Sequence, residues 1–434
     1  KSIFIEKILS NTREIFSGIT KSAEKPLEGR PVTFSLPDCL MSGLALFALK
    51  FPSLLKFEKD SKNISIKNNL KILYGIDTVP SDTQMRKRLD DVDFKELRKP
   101  FKKIFSILQR GKMLESYQYL DGNYLLAIDG TGHYSSHTVS CENCCIKQHK
   151  DGSMTYYHQL LGASIVYPGN PIVIPLAPEP IIKTDGNNKN DCERNASKRF
   201  LADVKREHPH LKLIILEDSL ASNGPHLKEL QSLDMRYIIG AKEGDHSLLF
   251  SWVNASDEVQ ALEYQDIKGT THKFRFLNSV PLNDANFDFK VNFLEYWQID
   301  SKRKVTHFSW VTDLFLTKEN VDKIMKAGRT RWKIENETFN TLKNQGYNFE
   351  HNFGHGEKNL CSVFAMLMML SFLIDQAQEL CCSLYKKARI ALRTKYSLWE
   401  KMRVCFEMFN LESWEQFYTY MAFLDGMPLP VNTT

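Results

Sequence analysis

The chain has 434 residues, with 57 Lys and Arg against 52 Asp and Glu, a formal net charge of +5. A hydrophobic share of 42% with 25% charged residues is globular composition, which excludes disordered, collagen-like and coiled-coil classes, and the length predicts about two or three domains. The charge is unevenly divided: residues 1–120 hold 22 basic and 14 acidic side chains, a net of +8, and the remainder sums to −3. A basic first third ahead of a slightly acidic remainder is the pattern of a polyanion-binding module joined to a carboxylate-bearing one.

Residues 1–115 read as helical and carry no leader pattern. Leu40 to Phe57 is an apolar segment bounded by Pro37 and broken at Pro52. Val79-Pro80-Ser81-Asp82 gives a turn and a cap ahead of a helix over Thr83–Leu89. Lys95 to Lys112 is basic, and the spacing of Lys95, Arg98 and Lys102 predicts one shared helix face. From about Gln118 the periodicity changes. Tyr124 to Asp129 is a short buried-strand pattern that should end at Gly130-Thr131-Gly132. His158–Tyr167 and Ile172–Ile182 are further β-rich runs, and Asp191–Glu207 reads as a helix capped by Asn190 or Asp191. Leu211–Asp218 is the next strand, followed by Gly224-Pro225, a helix through Leu233 and a strand over Met235–Ala241. This order predicts a mixed sheet covered by helices. Residues 243–306 alternate in short segments, as an antiparallel insertion does, and the core resumes at His307–Leu314. Helices follow to the end. The longest near-apolar run, Cys361 to Ile374, is shorter than the roughly 20 residues a bilayer requires.

Asp129 and Asp218 each close a buried strand, the position at which open sheets place ligand sites. An acid there needs a cap, a partner or a ligand. Residues 329–343 read as one amphipathic helix with Ile334, Thr338, Thr341 and Leu342 on its inner side, and Arg331 and Glu335 one turn apart. Three hard oxygen donors from two strand ends and a helix suit two Mg²⁺ or Mn²⁺ ions acting on a phosphodiester.

The sheet order, Asp129 in Ala-Ile-Asp-Gly-Thr, Asp218 in Leu-Glu-Asp-Ser, the β insertion and Arg331-Trp-Lys-Ile-Glu335 together resemble the DDE transposases of bacterial insertion elements. The resemblance spans roughly residues 120–380. It implies a ribonuclease-H-like catalytic domain (118–242 and 307–380) interrupted by a β-rich insertion (243–306), with a basic helical DNA-binding region (1–117) before it and a helical region (381–434) after. It implies cut-and-paste chemistry: cleavage at the terminal inverted repeats and joining of the 3′-OH to target DNA, by a homodimer on double-stranded DNA in the bacterial cytoplasm. Asp129, Asp218 and Glu335 become the metal-binding triad, and Arg331 and Lys343 become DNA contacts. Gly328 stands where the family has Tyr, and Lys343 lies one residue beyond the family's Lys. An inactive transposase-derived DNA-binding regulator, or a ribonuclease-H-like nuclease without strand transfer, are the alternatives on the same residues. Glu337 competes with Glu335, Asp121 and Glu217 are spare acids, and Glu193 is a neighbour of the metals.

Arg86, Arg88, Lys102 and Lys103 are the candidates for phosphate and end-sequence contact, and Lys386 to Arg403 forms a second basic stretch. Trp332 reads as a core anchor, with stacking on an extruded base as the alternative. The spacing His133-x3-His137-x3-Cys141-x2-Cys144 offers ligands for a structural zinc, with His137, Cys141 and Cys144 as its nucleus; His133 and His158 read equally well as polar residues of the cleft. Cys361, Cys381, Cys382 and Cys405 read as small core residues, and the thiols suit a reducing compartment.

Overall fold

The computed structural model describes residues 4–23, 34–186 and 189–423. Six helices come first: α1 Phe4–Ala23, α2 Leu36–Ala48, α3 Leu54–Asp60, α4 Ile64–Tyr74, α5 Asp82–Asp90 and α6 Arg98–Arg110. Their starts are written in the sequence. Ser35, Ser53, Asn63 and Ser81 each accept a backbone N–H of the following first turn, satisfying donors that the helix leaves unpaired. Gly75, at φ 66°, closes α4 in the left-handed conformation.

The strands are β1 Gln118–Tyr119, β2 Asn123–Ser136, β3 Cys145–Gln148, β4 Met154–Tyr167, β5 Asn170–Pro175 and β6 Glu179–Ile181. After α7 Lys189–Glu207 come β7 Leu213–Glu217, α8 Gly224–Ser232, β8 Arg236–Gly240, α9 Ser247–Ala255, β9 Gln260–Gln265, β10 Thr271–Pro281, β11 Lys290–Ile299 and β12 Val305–Thr312. They make one sheet in the order β3-β4-β2-β7-β8-β12-β11-β10-β9, with β5 and β6 also against β4. The pairs β2–β7 and β7–β8 are parallel, and the others are antiparallel. The strand expected to stop at Asp129 continues to Ser136, because β4 supplies a partner as far as Tyr156. The strands of the 243–306 segment join the same sheet, since β12 pairs with β8 and carries β11, β10 and β9 outward. Asn190 and Asp191, expected to cap α7, lie among residues whose side chains are not described.

The last third is helical: α10 Val321–Thr330, a wide π-type segment over Ile334–Phe339, α11 Asn340–Asn344, α12 Leu360–Cys381, α13 Ser383–Ala391, α14 Lys395–Met408 and α15 Trp414–Phe423. The single helix expected over 329–343 is therefore broken into three pieces. Its expected inner residues, Ile334, Thr338, Thr341 and Leu342, are all buried. At 22 residues, α12 is long and apolar enough to cross a bilayer, longer than the near-apolar run alone suggested, yet its apolar window is wholly buried inside the protein. It packs on α2, where Gly43 admits the Leu367 side chain and Phe47 meets Phe364 edge-on at 5.8 Å. One continuous hydrophobic cluster runs from Ile5 in α1 to Met421 in α15.

Arg98, expected to share a helix face with Lys95 and Lys102, does not share their exposure. It is buried instead, donating to Glu207 at 2.8 and 3.1 Å and to Glu179 at 3.4 Å, with Asp203 at 3.4 Å. The planar guanidinium with its several donors serves three carboxylates at once, and so ties α6 to α7 and β6. At the other end of the bundle, Lys50 is buried at 2.5 Å from Asp375 of α12, beneath the rings of Tyr347 and Trp399.

Candidate active site

Strand geometry brings the first two acids together. In the parallel ladder Ala127 stands opposite Leu216, and continuing that register by two residues sets Asp129 level with Asp218. Asp218 follows the last residue of β7, and its Oδ1 accepts the N–H of Leu220 at 3.0 Å, capping the short turn Ser219–Ala221. Glu217, just before it, is buried and bound to His226 Nε2 at 2.6 Å, fixing the turn against α8. Burial alone would lower the His226 pKa; the Glu217 carboxylate outweighs it, and the net direction is up.

Glu335 arrives from across the sheet. On the antiparallel side of β2, Asp129 pairs with Gly162 of β4. A side chain at 162 would meet the Phe339 ring at 2.6 Å, so the bare glycine is what admits Phe339. Beside it, Thr338 Oγ1 and Ser164 Oγ, both buried, lie 3.1 Å apart. These contacts seat the π-type segment against β4, and Glu335 lies one turn before Phe339. Single wide turns of this kind often mark functional positions in helices.

Arg331 joins the acids. Its Nη1 donates to Asp129 Oδ2 at 3.1 Å and its Nη2 to Glu335 Oε1 at 2.8 Å, with the arginine side chain only 14% exposed. Burial is the main cause that raises the Asp129 pKa, to about 6. Arg331 and the Gly130 N–H pull it down, while the charges of Glu335 and Asp218 push it up. Asp129 and Asp218 share a cleft of about 570 Å³ with Glu193, Arg194, Glu217 and His226. Asp218 also borders a second cleft of about 1250 Å³ lined by Lys242, Arg329, Arg331 and Trp332.

No family model matches the chain, and no curated protein matches it. The solved structures to which the chain is similar include the piggyBac transposase synaptic complex with hairpin DNA, determined by cryo-EM, at a TM-score of 0.40 and 10% identity over 98% of this chain and 80% of that one. So loose a likeness carries no residue-by-residue correspondence.

The other named residues divide by environment. Glu337 is half-buried on the side of Lys395, whose pKa it helps to raise against a larger lowering by burial. Asp121 is exposed in the turn before β2. Glu193 sits over Gly130, its Oε1 3.0 Å from where a Cβ would stand. Gly328 faces the Trp310 indole, which a Cβ would meet at 2.6 Å, so no tyrosine fits there without displacing the indole. Lys343 pairs with Glu350 at 2.8 Å, Arg86 pairs with Asp82, and Arg88 donates to the Phe34 carbonyl at 3.2 Å. Lys102 and Lys103 are exposed on α6. In the second basic stretch, Arg403 caps the end of α2 through the carbonyls of Leu49 and Lys50. Trp332, expected in the core, is 49% exposed beside the Arg331 guanidinium.

The cysteine–histidine segment gathers differently from its spacing. His137 is exposed, and its Nδ1 lies 3.1 Å from the Met154 carbonyl. Cys141 and Cys144 meet His158 of β4 and His355 of the loop before α12. β2 extends past Asp129 and carries His137 outward, whereas β4 turns His158 inward. Cys361, Cys382 and Cys405 are buried, Cys381 is half-buried, and no disulfide joins cysteines among the described residues.

Proposed function

We propose that this protein is a DNA transposase of the DDE type, which cleaves element ends and joins the 3′-OH to target DNA. One observation carries the reading: Asp129 in β2 and Asp218, just past the end of the parallel strand β7, line one cleft, and Arg331 couples Asp129 to Glu335. The order β4-β2-β7-β8, antiparallel and then twice parallel, supports a ribonuclease-H-like core with Asp129 within its central strand β2 and Asp218 at the end of β7. The carboxylates suit divalent ions, being hard oxygen donors whose mutual repulsion contributes to the raised Asp129 pKa. Asp129, Asp218 and Glu335 would hold Mg²⁺ or Mn²⁺, whose chemistry is to activate water or a 3′-OH and to stabilise the leaving oxygen of a phosphodiester.

The chain's own groups do the rest. Arg331 neutralises Asp129 and Glu335 in the DNA-free protein and swings toward the backbone phosphates when DNA is bound. The Glu217–His226 pair holds the Asp218 turn in place. Phosphate contacts come from Arg86, Arg88, Lys102 and Lys103 of the helical first region, with Lys343 near the reacting end. Residues 1–117 form the DNA-binding region, 118–242 and 307–380 the catalytic core, 243–306 the insertion and 381–434 the C-terminal region. The working form is a homodimer on paired ends in a bacterial cytoplasm.

The test uses duplex oligonucleotides carrying the inverted repeats that flank the coding sequence. Asp129→Asn, Asp218→Asn and Glu335→Gln should each abolish Mg²⁺-dependent cleavage and joining while end binding persists. Wild-type-level cleavage by any one of them removes that residue from the triad. Cleavage by the unaltered protein without a joined product makes it a nuclease instead.

A further inference from the structure

Cys141, Cys144, His158 and His355 each turn one atom toward a common centre, all four within 4.8 Å of one another. The sulfurs are 3.8 Å apart. His158 Nε2 is 3.5 Å from Cys141 Sγ and 3.3 Å from Cys144 Sγ, and His355 Nε2 is 3.3 Å from Cys144 Sγ and 3.1 Å from His158 Nε2. Zinc bonds sulfur at about 2.3 Å and imidazole nitrogen at about 2.0–2.1 Å in a tetrahedron. Those lengths require edges of about 3.8 Å between sulfurs, about 3.6 Å between sulfur and nitrogen and about 3.4 Å between nitrogens. The five measured edges follow that pattern in size and in order.

From this geometry we infer a structural zinc site of the Cys₂His₂ type. All four ligands come from the protein, and Cys144, His158 and His355 are buried, which leaves no open position for a substrate. The surroundings are built for it. His355 Nδ1 lies 2.8 Å from the Gly356 carbonyl, fixing the tautomer that offers Nε2 to the metal. Gly356 has φ +71°, and a Cβ there would meet Asp90 Oδ1 at 2.3 Å, so the turn that presents His355 needs glycine. His133 stands aside, its Nδ1 3.8 Å from Cys361 Sγ.

The site ties three distant segments: the loop between β2 and β3, strand β4, and the loop that leads from the Glu335 segment into α12. It lies beside the junction where Asp90 of α5 accepts the backbone N–H groups of Glu357, Lys358, Asn359 and Leu360. Zinc therefore fixes the carboxylate-bearing strands relative to the helix that carries Arg86 and Arg88.

The full chain, expressed with zinc and purified under reducing conditions without chelators, should carry about one zinc per molecule by elemental analysis. Cobalt in its place should give the visible absorption of a tetrahedral, thiolate-ligated ion. Cys141→Ser and His355→Asn should fall below about a fifth of an equivalent, while His137→Asn and Asp129→Asn should keep the full complement. The Asp129→Asn result separates this site from the carboxylate site, so either reading can fail alone. Metal-free wild-type protein with no cobalt spectrum overturns the inference, as does full zinc retention in both Cys141→Ser and His355→Asn. Because the wild-type measurement decides by itself, a variant that fails to fold does not protect the idea.

Discussion

Gly162→Ala tests how the candidate triad is assembled. The position is an ordinary strand residue without a positive φ, so alanine alone should help the backbone by about 0.5–1 kcal/mol. Against that, the new methyl would stand 2.6 Å from Phe339 Cε1 and 2.8 Å from Cζ, where carbon atoms prefer about 3.5–4.0 Å. Phe339 is buried and has little room to yield, so the ring and the π-type segment must move by about 1 Å. Overpacking of this kind costs about 1–3 kcal/mol, which leaves a net loss of about 0–2.5 kcal/mol in urea unfolding. The larger effect should be on chemistry, because a displacement of that size at a reacting group can lower the rate about a hundredfold. Cleavage of end-bearing duplexes with Mg²⁺ is the assay, and Phe339→Leu in the same chain should restore much of both losses. An alanine variant as stable and as active as wild type would refute the claim that Gly162 seats Glu335.

Three further outcomes follow from the charges. Asp129 has a folded pKa of about 6 against an ordinary 3.8, so the folded state favours its proton. Its contribution to stability is highest below about pH 4 and is lost as pH rises through about 6. Asp129→Asn should therefore match wild type in acid and exceed it at pH 7 by about 1–2 kcal/mol, after allowance for its partial exposure; equal stability at pH 7 contradicts this. Arg331→Met should destabilise by about 1–3 kcal/mol at pH 8 and by less at pH 5, where Asp129 is protonated, as urea titrations at the two pH values will read. Arg98→Ala should cost about 3–5 kcal/mol by leaving Glu179, Asp203 and Glu207 facing one another. Arg98→Lys should recover little, because an ammonium cannot serve three carboxylates in that plane; full recovery in a denaturant series would show that only the charge matters.

The parts of this architecture legible in the sequence are those encoded locally. The short apolar runs before Asp129 and Asp218 marked two strands, though only Asp218 stands at a strand end, and Ser81 marked the start of α5. The four-residue spacing of Arg331 and Glu335 anticipated their ion pair, though not its extension to Asp129. What stayed hidden depends on residues distant in sequence. His158 and His355 lie 197 positions apart in the chain yet 3.1 Å apart in space, so ligand spacing around Cys141 pointed to His137 instead. Arg98 matched a basic stripe at every position, and its burial followed only from three acids contributed by later elements. The break in the 329–343 helix left no mark in a hydrophobic pattern that both helix types satisfy.

The partnership between α2 and α12 has a bearing on synthesis. Every residue of Leu36–Ala48 is buried, and much of its cover comes from a helix that begins at Leu360. At about 5–20 residues per second, a ribosome needs roughly 15–60 s to make the intervening chain. Throughout that interval a thirteen-residue apolar helix is out of the ribosome with its main partner unmade. Exposed apolar surface of that kind makes incomplete chains prone to aggregate, so fragments that stop before residue 360 should be less soluble than the full chain when the two are fractionated side by side.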